Sequence, residues 1–313
     1  MRDPVVTVFG GSGFIGRYVV EKLAKRGWII RVAVRRPDDA LFLKMTGLLG
    51  QTAPIAANIR DQRSVEAAVA GADAVVNLVG ILFESGAQRF DKVQAEGPGR
   101  IAAAAKAAGV RQMVHISAIG ADSSSPAAYG RSKAAGEEAV RGAFPTATIL
   151  RPSIVFGPED SFFNRFAAMT RLSPALPLIG GGRTRFQPVY VLDVADAVLA
   201  ALEQPAAAGQ IYELGGPATY SFRELMELML REINRRRLLI PIPFALASLQ
   251  GALLQYLPSP PLTLDQVRLL KRDNVVSPGA KGLADLGITP TAVEVILPTY
   301  LDKYRPRGGY DRK

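Results

Sequence analysis

The 313-residue chain contains no cysteine. That excludes a disulfide, a thiolate nucleophile and any metal centre built on cysteine, and it fits a reducing compartment. Histidine occurs once, as His115, inside Gln112-Met113-Val114-His115-Ile116-Ser117, a segment that reads as buried strand. A satisfied core histidine is expected there rather than a catalyst or a metal ligand. Acidic residues are in deficit, with 28 Asp and Glu against 38 Lys and Arg and a formal charge of +10. Such a balance suits nucleic acid, an anionic membrane surface, an acidic partner or simple solubility. No nucleic-acid motif and no interleaving of aromatic with basic residues supports the first. No signal or transit peptide precedes the first apolar run, so a cytosolic or cytosol-facing chain is expected.

What is present is a core and a regular rhythm. Hydrophobic residues make up 48% of the chain, and its length suits one large α/β domain with a smaller appendage. Val5 to Phe9 is β-branched and aromatic, as a buried parallel strand requires. Gly10, Gly13 and Gly16 follow at G-x-x-G-x-x-G spacing, and a helix is expected over 18–26. Gly10 permits the sharp exit from the strand, Gly13 lets backbone approach a bound group, and Gly16 lets the helix pack closely. The N–H groups of Ser12, Phe14 and Ile15 then suit a pyrophosphate. Placed between a strand and a helix, this turn is a strong dinucleotide signal.

A second strand over 28–34 ends in Arg35-Arg36-Pro37, about twenty residues past the turn, where the adenosine ribose lies in such sites. Two guanidiniums replace the acid that would hold a 2′-hydroxyl, so the expected ligand is the 2′-phosphate of NADP. A third strand near 54–57 leads to Asn58-Ile59, placed to flank adenine, and to Asp61, which can instead cap a helix. Ala74 to Gly80 forms a fourth strand whose end, Leu78-Val79-Gly80, passes the cofactor. An Ala-rich helix over 90–108 and a fifth strand through Ser117 complete a doubly wound parallel pattern. Ser117-Ala118 and Tyr129-Gly130-Arg131-Ser132-Lys133 carry the candidate chemistry. Tyr129 and Lys133 share one helix face, where the cation can hold the nicotinamide ribose and lower the tyrosine pKa. A sixth strand over 146–150 enters Arg151-Pro152-Ser153-Ile154, with Pro152 expected to end pairing beside the nicotinamide.

Gly180 to Gly182 reads as a mobile loop, 187–194 as a return to the sheet, Asp193 as the start of a helix, and 220–237 as another helix. Arg235-Arg236-Arg237 precedes Leu238 to Leu257, an uncharged stretch interrupted by Pro241 and Pro243. The helical remainder, 244–257, is too short to span a bilayer. Its leucines fall on one face and Ser248, Gly251 and Gln255 on the other, which suits an anionic lipid surface, a partner groove or packing on its own domain. A basic helix over 264–272 and a basic extended arm over 303–313 follow.

Together these residues resemble the extended or atypical short-chain dehydrogenase/reductase superfamily over roughly 4–230. The chain is more closely similar to the family of NAD(P)H-binding accessory subunits of respiratory complex I. That likeness rests on Ser124-Ser125, Gly136-Glu137, Arg141 to Pro145, Phe156 to Asp160, Asn164 to Ala167 and Gln187 to Val191. The resemblance implies a Rossmann fold and a tightly held NADPH with a structural role. It also implies partners at the junction of the complex's peripheral and membrane arms near the quinone site, and a peripheral place on the cytoplasmic side of a bacterial inner membrane. Ala118 and Ile119 occupy the positions where related epimerases and dehydratases carry a reactive hydroxyl. The implied scaffold is therefore catalytically silent, with an active NADP-dependent reductase or nucleotide-sugar epimerase/dehydratase as the alternative. The expected domains are 1–155 with 185–215 returning to the sheet, and a small, mainly helical region of 156–184 and 216–313.

Overall fold

The computed structural model describes residues 3–258 and 260–306. In chain order the strands begin with β1 (Val5–Phe9), β2 (Ile29–Val34), β3 (Thr52–Ala56), β4 (Ala74–Asn77), β5 (Gln112–Ile116) and β6 (Thr148–Pro152). They continue with β7 (Val155–Phe156), β8 (Ala175–Ile179), β9 (Arg185–Phe186), β10 (Val189–Tyr190), β11 (Ile211–Leu214), β12 (Tyr220–Ser221) and β13 (Leu238–Ile242). The helices begin with α1 (Phe14–Lys25), α2 (Gln62–Val69), α3 (Gly97–Ala107), α4 (Ala128–Ala143) and α5 (Phe163–Leu172). They continue with α6 (Val191–Glu203), α7 (Phe222–Glu232), α8 (Phe244–Leu254), α9 (Leu264–Leu269) and α10 (Val293–Tyr300).

These elements gather into two compact units. The first holds the chain up to Pro152, Leu192–Leu214 and Gly279–Thr289; the second holds Ser153–Val191, Gly215–Pro278 and the chain from Pro290. The boundaries differ from 155 and 185–215 for identifiable reasons. β9 pairs with β12 inside the second unit. Residues 279–289 join the first because the Lys281 carbonyl accepts the Glu213 N–H at 2.8 Å.

In the first unit a seven-stranded sheet runs β11-β6-β5-β4-β1-β2-β3, with every neighbouring pair parallel. The apolar strands need cover on both faces. Phe9, Val65, Ile101, Met113, Val140 and Ile149 share one core cluster. Val19, Val20 and Leu23 of α1 and Val194 and Val198 of α6 are also fully buried. Chain order reverses between β1 and β4, which opens the crevice at the carboxyl ends where ligands bind in such sheets.

Several local readings change. Helix α1 begins at Phe14, directly on the glycine turn, rather than at residue 18. The expected helix over 90–108 opens with a π-type turn, Asp91–Glu96, before α3. Arg151 and Pro152 lie inside β6, so Pro152 does not end pairing. It sits in register with Leu214, and its carbonyl accepts the Ile119 N–H at 3.0 Å. Only a proline's N–H is missing, and its carbonyl still serves the sheet.

The second unit buries an aromatic cluster of Phe156, Phe163, Phe186 and Phe222 with the inner face of α7. Helix α7 starts at a capping box of Ser221 and Glu224. Asp160 is buried and accepts the Tyr300 hydroxyl at 2.5 Å and the Gly157 N–H at 3.2 Å. Leu238–Ile242, read as the broken start of a helix, forms strand β13 parallel to β8. Gly180 to Gly182 forms a tight turn with all three φ positive and Gly182 buried. No helix among the described residues is long and apolar enough to cross a membrane. Of the expected arm over 303–313, Asp302–Tyr304 forms a 3-10 turn and Tyr304 donates to Asn164 at 3.0 Å. Residues 307–313 lie outside the described chain.

Helix α4 carries the candidate chemistry and packs on the π-type turn without an intervening side chain. A Cβ on Gly136 would lie 2.1 Å from the Gln94 carbonyl oxygen, whereas one on Gly142 would meet nothing within 4 Å. Gly136→Ala should therefore cost about 1–3 kcal/mol of stability in denaturant titrations. Gly142→Ala should be neutral or stabilising by up to about 1 kcal/mol.

Candidate functional site

The residues singled out in the first unit lie at the carboxyl ends of successive parallel strands. Gly10 follows β1, Arg35 and Arg36 follow β2, Asn58 and Ile59 follow β3, Leu78 to Gly80 follow β4, Ser117 and Ala118 follow β5, and Pro152 closes β6. The sheet itself brings them together.

The glycine turn is held by backbone alone. Gly10 has φ +78°, a left-handed conformation that side chains disfavour. A Cβ there would press on the Leu78 carbonyl carbon and the Val79 nitrogen at 3.3 Å. The Gly13 N–H donates back to the Gly10 carbonyl at 3.0 Å, and Ser12 stands at the tip. A Cβ on Gly16 would lie 2.3 Å from the Gly10 oxygen. The close contact is thus between the helix and the turn. Phe14 and Ile15 occupy the first turn of α1, whose leading N–H groups have no partners within the helix.

At the ribose end the two arginines differ. Arg36 pairs with Asp39, Nε to Oδ2 at 2.7 Å and Nη2 to Oδ2 at 2.6 Å. Arg35 is exposed and, among the described residues, makes no ion pair. Arg17, one residue past the glycine turn, places its guanidinium 5.3 Å over the Phe42 ring. Asp61 caps α2 by accepting the Ser64 N–H at 3.0 Å. The Asn58 side chain accepts the Arg60 N–H, and Ile59 is buried with its carbonyl accepting from Arg100 at 2.7 Å.

The centre of the site is buried and carries a cation. Lys133 is buried, with a long 3.3 Å bond from Nζ to the Ile116 carbonyl. A Cβ on Gly80 would sit 3.3 Å from that Nζ, so the glycine keeps the strand end open beside it. Burial pulls the Lys133 pKa down to about 8, with Glu137 working against the shift. Glu137 is itself held by Arg151, Oε2 to Nη2 at 2.6 Å and Oε1 to Nε at 2.9 Å, and Arg151 also faces Glu213 at 3.6 Å.

Burial pushes the Tyr129 hydroxyl up to about 12, and Lys133 does not offset this; the ammonium lies 6.0 Å over the tyrosine ring centroid. The pair shares a helix face as expected.

Ser117 is buried, and its Oγ has no hydrogen-bond partner among the described residues. Asn77 Nδ2 donates to His115 Nδ1 at 3.1 Å while Asn77 Oδ1 accepts the Val79 N–H. His115 is therefore a neutral core residue that fixes the strand end, its pKa driven down to about 3 by burial and by Lys133. Its Nε2 has no partner among the described residues. Ser153 and Ile154 belong to the second unit, where both bond to Asn274.

Gln94 was invisible from sequence. Its side-chain Oε1 accepts the Ile81 N–H at 3.0 Å and its side-chain Nε2 donates to the Ser132 hydroxyl at 3.0 Å, tying the β4 loop to α4. Only the π-type turn aims it there, and no residue pattern announces that turn.

A cradle without side chains, an unsatisfied serine hydroxyl and a buried cation fit a nicotinamide dinucleotide. Bound there, the nucleotide would supply hydride chemistry; Lys133 and Ser117 would hold its nicotinamide half and the glycine turn its pyrophosphate. Among the described residues no cluster of His, Asp or Glu can hold a metal ion.

Comparison with known proteins gives the context. The sequence pattern of the NAD dependent epimerase/dehydratase family matches residues 6–215. The chain is 39% identical over 316 aligned positions to the mitochondrial NADH dehydrogenase [ubiquinone] 1 alpha subcomplex subunit 9 of Arabidopsis thaliana, covering 97% of this chain and 79% of the relative. It is 34% identical to the mitochondrial NADH-ubiquinone oxidoreductase 40 kDa subunit of Neurospora crassa, covering 97% and 80%. The fold superposes on UDP-glucuronic acid 4-epimerase from Bacillus cereus, solved with UDP-glucuronic acid and NAD, with a TM-score of 0.72 at 16% identity over 96% and 98% of the two chains.

The lysine gives a stability test with a definite sign. Its folded-state pKa lies below the ordinary value of 10.5, so the folded chain binds fewer protons than the unfolded one between about 8 and 10.5. The burial penalty is full below about pH 8 and vanishes as pH rises towards 10.5. Lys133→Met should raise the stability of the nucleotide-free protein at pH 7 by up to about 3 kcal/mol. In thermal melts that gain should shrink steadily above pH 8.

Proposed function

Because the chain belongs to the NAD dependent epimerase/dehydratase family, and within it to the group of complex I subunit 9 proteins, we propose that it is an accessory subunit of respiratory complex I. It binds NADPH as a structural element and does not turn it over. Near-full-length similarity to complex I subunits carries the assembly role. The site supports the silent cofactor: the glycine cradle is intact, while Ala118 and Ile119 supply no hydroxyl. Arg35 favours a 2′-phosphate.

In this reading the protein sits at the junction of the peripheral and membrane arms near the quinone site, on the cytoplasmic side of a bacterial inner membrane. Leu238 to Leu257 meets lipid there. The support is that α8 turns Leu246, Leu249 and Leu253 outwards while Ala247 and Gly251 are buried.

The alternative is an active NADP-dependent reductase or epimerase/dehydratase. It is favoured by the survival of Tyr129 and Lys133 together on the first turns of α4.

Gentle purification of the native protein should recover it with other complex I subunits and near-stoichiometric NADPH. Tyr129→Phe should leave assembly and respiration intact. Recovery only as a free monomer, or steady turnover abolished by Tyr129→Phe, would sink the accessory reading. Arg35→Ala should weaken NADPH binding roughly 10- to 100-fold, the range of a charge-assisted contact, and barely affect NADH. Arg36→Ala should do less, because Asp39 already engages that side chain. Equal losses for both nucleotides in calorimetry would remove Arg35 as the phosphate reader.

A further inference from the structure

The second unit carries a cleft that the nucleotide site does not use. It lies between the Gly180 turn, Pro243 and Phe244 at the start of α8, and Leu270 to Asp273 beyond α9, with a volume of about 420 Å³. Arg183 and Lys271 supply its cations.

Packing builds this cleft. Gly180, Gly181 and Gly182 have φ of +62°, +72° and +73°. A Cβ on Gly180 would fall 2.3 Å from Phe244 Cζ, so the ring lies directly on the turn. Thr184 donates its hydroxyl to the Leu270 carbonyl and ties the two rims together. Asp273, the one acidic residue lining the cleft, accepts the Arg185 N–H at 2.8 Å. Lys271 Nζ stands 5.7 Å over the Phe244 ring. Among the described residues neither Arg183 nor Lys271 has a carboxylate partner.

The same ring that floors the cleft begins an outward apolar ridge. Leu246, Leu249, Leu253, Tyr256 and Leu257 are 48%, 60%, 68%, 84% and 49% exposed. The inner side of α8 is made of small residues: a Cβ on Gly251 would meet the Thr263 backbone at 2.9 Å. Residues 238–264 contain no charged side chain, and Asp265, Arg268, Lys271, Arg272 and Asp273 follow them. A water-exposed leucine ridge with cations at its root is the pattern of a helix lying in a lipid interface. Free phosphate would satisfy the cleft alone; a phospholipid satisfies cleft and ridge together.

We infer that this cleft is a headgroup site for an anionic phospholipid, with the α8 ridge seated in the adjoining acyl region. The inference rests on the proposal that α8 meets lipid. Flotation of the full chain with vesicles of phosphatidylcholine, with and without phosphatidylglycerol, tests both. The native chain should partition onto the anionic vesicles. The Arg183→Gln/Lys271→Gln variant should lose roughly thirty-fold, as expected for two cations near an anionic surface. Leu249→Ser/Leu253→Ser should abolish partition altogether. All four side chains are exposed, so unchanged thermal melts will show that the variants fold.

Equal partition of the charge variant and the native chain would overturn the headgroup site and leave the lipid reading standing. Failure of the native chain to bind any vesicle would overturn both. Saturable binding of inorganic phosphate that the charge variant loses, without preference for anionic vesicles, would assign the cleft to free phosphate and overturn the lipid assignment.

Discussion

The first unit depends on backbone touching backbone where no side chain fits. Gly10 turns β1 away in a left-handed conformation, and Gly16 then lies against its carbonyl oxygen. This contact aims the start of α1 at the crevice beside β4. A Cβ at either position would push against the backbone it faces and shift the start of the helix relative to the turn. Gly136 repeats the device on the other side, where α4 rests on the Gln94 carbonyl. Two close approaches thus fix the helices at both ends of the candidate nucleotide site.

Between them runs a connected set of buried polar groups. Arg151 holds Glu137, Glu137 supports the charge on Lys133, and Lys133 helps keep His115 neutral. Arg151 and Glu137 limit the cost of burying one another and Glu137 limits that of Lys133, since a lone buried charge would be far more expensive. The cost that remains falls on Lys133, whose pKa is low, and on Tyr129, whose pKa is high.

The second unit inverts the usual logic of a surface helix. Helix α8 buries alanine and glycine and presents leucine to the surroundings, because close packing against the Thr263 backbone admits only small residues on its inner face. The exposed side is then left for a partner or a lipid phase.

Much was legible in the chain because it rests on local steric and periodic rules. Glycine spacing after an apolar strand, strand and helix alternation, and the i, i+4 placing of Tyr129 and Lys133 all follow from backbone geometry. Arg35 and Arg36 read alike in sequence, but only the fold brings Asp39 onto one of them. The strand at 238–242 and the pairing of Pro152 depend on which partner each segment meets. So do the π-type turn that aims Gln94, the raised pKa of Tyr129 and the outward face of α8. The amino-acid order by itself determined the sheet, the glycine cradle and the face that Tyr129 and Lys133 share. Tertiary structure decided which charges are engaged, how deeply each titratable group is buried and which face of α8 is left open. Most of those properties arise from contacts between residues well separated in the chain, such as β13 on β8 and Arg151 on Glu137.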